Sequence, residues 1–146
     1  MTIDPITEDR ISDATRARLD GIGRSLLRLH KTLLDAERAE YEGLYGRVNA
    51  GQMLQLLLND PWFAWLRVLS EFVVQVDEMA EAKQPATNPE ADALLQQIGT
   101  TLRPSSGGGG IGAGFGEKYH RALQQNPDAA ALHAEVLRLL DPAPPL

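Results

Sequence analysis

At 146 residues the chain has the length of one domain, with room for a core that needs no disulfide or metal staple. It contains no cysteine, which excludes disulfides, thiolate nucleophiles and cysteine-held zinc or iron–sulfur centres and suits a cytoplasmic protein. The net charge is −6, and residues 49–102 carry two basic against seven acidic side chains, an imbalance that speaks against nucleic-acid and membrane-surface partners.

The first residues, MTIDPITEDR, lack the basic start and apolar run of a secretory leader and read as part of a frayed segment over 1–11. Ser12 or Asp13 caps a helix that runs to Tyr45, with Leu19, Ile22, Leu26, Leu29, Leu33 and Ala36 as its apolar stripe. Gly21 and Gly23 weaken that helix by roughly 1 kcal/mol each relative to alanine, unless they admit a second helix at close range. Arg18 reads as an ordinary surface residue. GRVNAG, residues 46–51, reads as a turn before a short helix from Gln52 to Leu58.

The apolar centre of the chain is LQLLLNDPWFAWLRVLSEFVVQVDEM, Leu54 to Met79. Asp60 and Pro61 supply an N-cap and a first helical residue, and the helix they begin is predicted to reach Lys83. Trp62, Trp65, Leu66, Leu69, Phe72, Val73, Val76 and Met79 form its stripe. Phe63 and Val74 fall off the stripe and call for cover by another helix or a second subunit. Asn88 and Pro89 open a further helix to Leu102. The glycine-rich stretch, Pro104 to Gly114, has almost nothing to bury and reads as a flexible loop, with a formal GxGxxG at Gly107 to Gly112 that no strand precedes. Helices from Phe115 to Gln125 and from Asn126-Pro127 to Leu140 close the chain before a proline-rich tail, residues 141–146.

No period-2 strand pattern or hairpin signal interrupts this order. The predicted fold is therefore all-α and single-domain. It is a four-helix-bundle-like arrangement of two long antiparallel helices, Ser12–Tyr45 and Pro61–Lys83, with three to four shorter ones.

Two groups of side chains carry the available chemistry. A second stripe on the first helix places His30, Glu37 and Tyr41 along one edge of the core. With Trp62, Trp65, Arg67 and Glu71 opposite, they outline either a small-ligand pocket or a boundary network that fixes helix register. The second group is His30, His120 and His133, with Glu117 one turn before His120. Three converging imidazoles hold a divalent metal with an open position, whereas separate ones are ordinary boundary residues. Such a set is similar to the histidines of DinB-like bundles, and the single Glu-x-x-His to half of a ferritin-like di-iron site. The spacing departs from both, because no two histidines sit a turn apart and no second Glu-x-x-His exists.

Three stretches carry a broader likeness: LLRLHKTLLDAERAEYE, NDPWFAWLRVLSEFVVQVDE and KYHRALQQNPD. Through them residues 13–140 resemble a family of small bacterial helical proteins of unknown function, with NDPWFAWLR as the most distinctive string. The resemblance implies a bacterial, cytoplasmic helical protein and brings no catalytic residue. The glycine run is longer here than that family's corresponding segment. With no nucleophilic triad in view, the expected function is a non-catalytic interaction or scaffold bundle that meets a protein partner or pairs as a homodimer. The alternative is a metal-binding bundle enzyme using His30, His120 and His133.

Overall fold

The computed structural model describes residues 11–81, 86–103 and 113–141. The predicted lead-in, glycine-rich loop and proline-rich tail therefore lie largely outside the described residues, as does the GxGxxG. Among the described residues the chain is all-helical, with no strand. The helices are α1 (Asp13–Tyr45), α2 (Ala50–Asn59), α3 (Pro61–Ala64), α4 (Leu66–Ala80), α5 (Asn88–Leu102), α6 (Ala113–Gln125) and α7 (Pro127–Leu140). None of the described helices is long and apolar enough to cross a membrane.

Local chemistry sets most of the boundaries. Ser12 caps α1 by accepting from the Thr15 N–H at 3.1 Å, Asp60 caps α3 by accepting from Trp62 at 2.8 Å, and Asn126 caps α7 by accepting from Ala129 at 3.1 Å. Gly46 ends α1 at φ 97°, a backbone conformation that costs a side-chain-bearing residue free energy. Two starts differ from expectation. α2 begins at Ala50, inside the predicted turn, because Asn49 and Gln52 form a reciprocal capping box. α5 is capped by Thr87, whose hydroxyl accepts from the Glu90 N–H; Asn88 instead accepts from the Ser12 N–H at 3.1 Å, tying the two helix starts together.

The expected stripe of the central helix holds at Trp65, Leu66, Leu69, Phe72 and Val76 but shifts at its first turn. Phe63 is fully buried, whereas Trp62, placed on the stripe by periodicity, is only partly covered. The Phe63 N–H bonds back to Asp60 and the Val68 N–H to Trp65, each a three-residue step, and the chain turns at Trp65 between α3 and α4. Tighter turns carry the buried face through Phe63, Leu66, Leu69 and Phe72 at steps of three. α4 ends at Ala80, short of Lys83.

α1 packs chiefly on α4 and α7, and α7 also meets α5 and α6. Leu19, Ile22, Leu26, Leu29 and Leu33 supply the α1 side of one core, as their spacing predicts, while Ala36 is exposed. Arg18 is not an ordinary surface residue: its guanidinium donates to the carbonyls of Leu139 and Leu140, where the last turn of α7 has no intrahelical partners. α2 is fixed at both ends. Arg38 donates to the Val48 carbonyl and Glu42 accepts from the Val48 N–H, both at 2.8 Å. Arg67 donates to the carbonyls of Leu57 and Leu58 at the other end.

Candidate functional site

Between the second half of α1, the tryptophans around α3 and the middle of α6 lies a cleft of about 400 Å³. Glu37 and Glu40 stand on its α1 side, Lys118 and Arg121 on its α6 side, and Trp62 and Trp65 contribute its aromatic surface. Glu37 and Glu40 lie outside the main apolar stripe of α1, so packing of that stripe on α4 and α7 leaves them at the rim. Lys118 and Arg121 occupy the same helix face of α6 because they are three residues apart.

The electrostatics are mixed. Burial raises the Glu37 pKa above the usual carboxylate range and the nearby Glu40 adds to the rise, while the Trp62 indole and Lys118 act against it. The Trp62 N–H is buried without a hydrogen bond of ordinary geometry, yet it stands close enough to Glu37 to favour that carboxylate's charged form. Among the described residues none of the four charged groups forms an ion pair across the cleft. Two anions and two cations therefore face the same space without direct contact, with Lys118 acting on Glu37 only through space.

An aromatic chain leads from the cleft into the protein. Trp65 meets Phe115 at 6.0 Å between ring centroids, and Phe115 stacks on Tyr119 at 4.9 Å. The Tyr119 hydroxyl lies 2.7 Å from His133 Nδ1, and the His120 and His133 rings are 5.9 Å apart, nearly perpendicular. Burial pushes the Tyr119 phenol well above its ordinary pKa. Burial also lowers the His133 pKa, with the neighbouring His120 adding to the effect. The His120 Nε2 is buried without a partner.

The pocket outlined from the sequence is thus brought together in part. Glu37, Trp62 and Trp65 line the cleft. Tyr41 is beside it in the aromatic cluster, 5.7 Å from the Trp62 ring and 5.6 Å from Phe63. Arg67 is not available to such a pocket, since its guanidinium closes the end of α2, and Glu71 is exposed. His30 is partly buried, and burial lowers its pKa, but no ring contact joins it to the other histidines. Of the four metal candidates, His120 and His133 meet and Glu117 is exposed. Among the described residues no three histidine, aspartate or glutamate side chains are placed to share a metal ion.

Glu40, Lys118, Arg121 and Tyr119 are the residues that sequence reasoning missed. Lys118 and Arg121 both stand in the quoted KYHRALQQNPD string, but nothing local says that α6 packs beside Trp62 and Trp65. Comparison with protein-family models, with curated proteins and with solved structures finds no match.

Proposed function

We propose that this chain is a non-catalytic helical interaction protein that pairs with a second copy of itself through α2 and the last turn of α1. The observation that carries this reading is where the exposed apolar side chains fall. Leu44 and Tyr45 are 67% exposed, and Leu54 and Leu58 are 55% and 56% exposed. Between Glu42 and Asp60 the only charged residue is Arg47, in a chain of net charge −6. A second copy approaching the acidic part of residues 60–102 meets repulsion; here it meets uncharged apolar surface. The pins at Val48 and at the end of α2 hold this segment in shape before association, which lowers the ordering cost of binding. A two-fold pairing uses the same patch on both copies and closes as a dimer.

Phe63 does not support the pairing, since its own chain covers it, but Val74 remains 53% exposed. The same reading takes the bundle as four-helix-like with α1 and α4 antiparallel. Gly23, early in α1, adjoins Val76, late in α4, while Tyr41, late in α1, adjoins Phe63 just before α4. The absence of cysteine fits a cytoplasmic setting. Size exclusion with light scattering over a concentration series tests the proposal. The expected result is a dimer that Leu54→Asp with Leu58→Asp converts to a folded monomer. A wild-type monomer at every concentration removes it.

A further inference from the structure

We propose that the cleft between α1, α3 and α6 binds a small zwitterion with an apolar side chain. Its ammonium group would sit against Glu37 and Glu40, its carboxylate against Lys118 and Arg121, and its side chain on Trp62 and Trp65. This site is separate from the self-association reading and does not rest on it. Free amino acids and short peptide termini both present this chemistry.

Size is the first support. About 400 Å³ falls in the range of small-molecule pockets, roughly 300–1,000 Å³, and is ample for one amino-acid-sized ligand. Charge is the second. The carboxylates come from one helix and the cations from another, so the two signs are separated across the opening instead of neutralising each other along one face. A ligand of one sign satisfies half of the cleft and is repelled by the other half. A dipolar ligand satisfies both.

The third support is the aromatic surface between the charges. Trp62, only partly buried, offers flat apolar area that costs little ordering on binding, and Trp65, 6% exposed, is held at the cleft wall by Phe115. Because Glu37 is half-buried, an ammonium paired with it is screened less by water than on an open surface.

Trp62 and Trp65 are the only tryptophans in the chain, so intrinsic fluorescence reports directly on the cleft. L-Leucine is the probe, with 3-methylbutylamine and 4-methylpentanoate as analogues carrying only the ammonium or only the carboxylate. The expected result is a saturable fluorescence change with L-leucine in the millimolar range or tighter. Each analogue should bind at least about tenfold more weakly, since a lost charge-assisted pair is worth that much. Lys118→Gln with Arg121→Gln should weaken L-leucine by a similar factor at unchanged far-UV circular dichroism. The titration is repeated on Leu54→Asp/Leu58→Asp, so that ligand response is read apart from self-association. No saturable change with L-leucine overturns the proposal, as does equal binding of either single-charge analogue. The analogue comparison uses the wild-type chain and holds even if a variant fails to fold.

Discussion

The Tyr119 hydroxyl and His133 Nδ1, 2.7 Å apart, join α6 to α7 across their shared core. Tyr119 is fully buried and makes no other hydrogen bond among the described residues, so its proton is satisfied only if the hydroxyl donates to Nδ1. Burial keeps the phenol protonated and disfavours a charged His133. The pair is therefore phenol donor and neutral imidazole acceptor, with the His133 proton on Nε2.

Removing only the hydroxyl should separate bonding from packing. Tyr119→Phe is expected to cost about 1 kcal/mol, the net worth of one hydrogen bond. Tyr119→Ala, which empties a fully buried site between Phe115 and the histidines, is expected to cost about 3–5 kcal/mol. Urea unfolding of the two variants measures both, and equal losses would deny the ring its place in the core.

Acid should weaken the fold through the histidines. Both His133 and His30 have folded-state pKa values below 6.5, so the unfolded chain takes up protons first as pH falls through that value. Their contribution is complete above 6.5 and is lost as pH drops towards the folded-state values. Glu37, with a raised pKa, acts in the opposite sense and mainly at lower pH, about and above its ordinary 4.5. Stability should therefore fall as pH drops below about 6.5, and His133→Gln should make that fall smaller. Identical pH dependence in wild type and variant would remove His133 from the account.

Gly21 and Gly23 should respond differently to the same substitution. A Cβ at Gly21 meets nothing within 4 Å, so Gly21→Ala is expected to stabilise the protein by roughly 0.5–1 kcal/mol through helix propensity. At Gly23 it would stand 3.3 Å from Val76 Cγ1, where α1 and α4 approach each other. Gly23→Ala should gain less than Gly21→Ala, because Val76 has to give way. Denaturation midpoints decide the matter, and an equal or larger gain at Gly23 would count against close helix contact there.

Phe63 should matter more than its neighbour. Phe63→Ala truncates a fully buried ring and is expected to cost about 3–5 kcal/mol, with Trp62→Ala costing less because Trp62 is only partly covered. The reverse order in thermal melts would restore the face that simple periodicity assigns.

Features governed by neighbours in sequence were legible in advance. The α1 stripe from Leu19 to Leu33, the caps at Ser12, Asp60 and Asn126, and the all-helical class follow from side-chain spacing and from backbone groups a few residues away. The capping box at Asn49 and the cap at Thr87 belong to the same local chemistry and were open to the same reading. Three-dimensional packing decided the rest. Tight turns around Trp65 exchanged the roles of Trp62 and Phe63, which an ideal helical period does not anticipate. Arg18 and Arg67 became helix-end donors because the carbonyls they reach lie 121–122 and 9–10 residues away. Glu37 and Lys118 share a cleft only because α6 and α1 come to line the same space beside the tryptophans. A charge records its sign in the sequence, but its partner depends on which helices meet, and the pattern of one helix does not specify that.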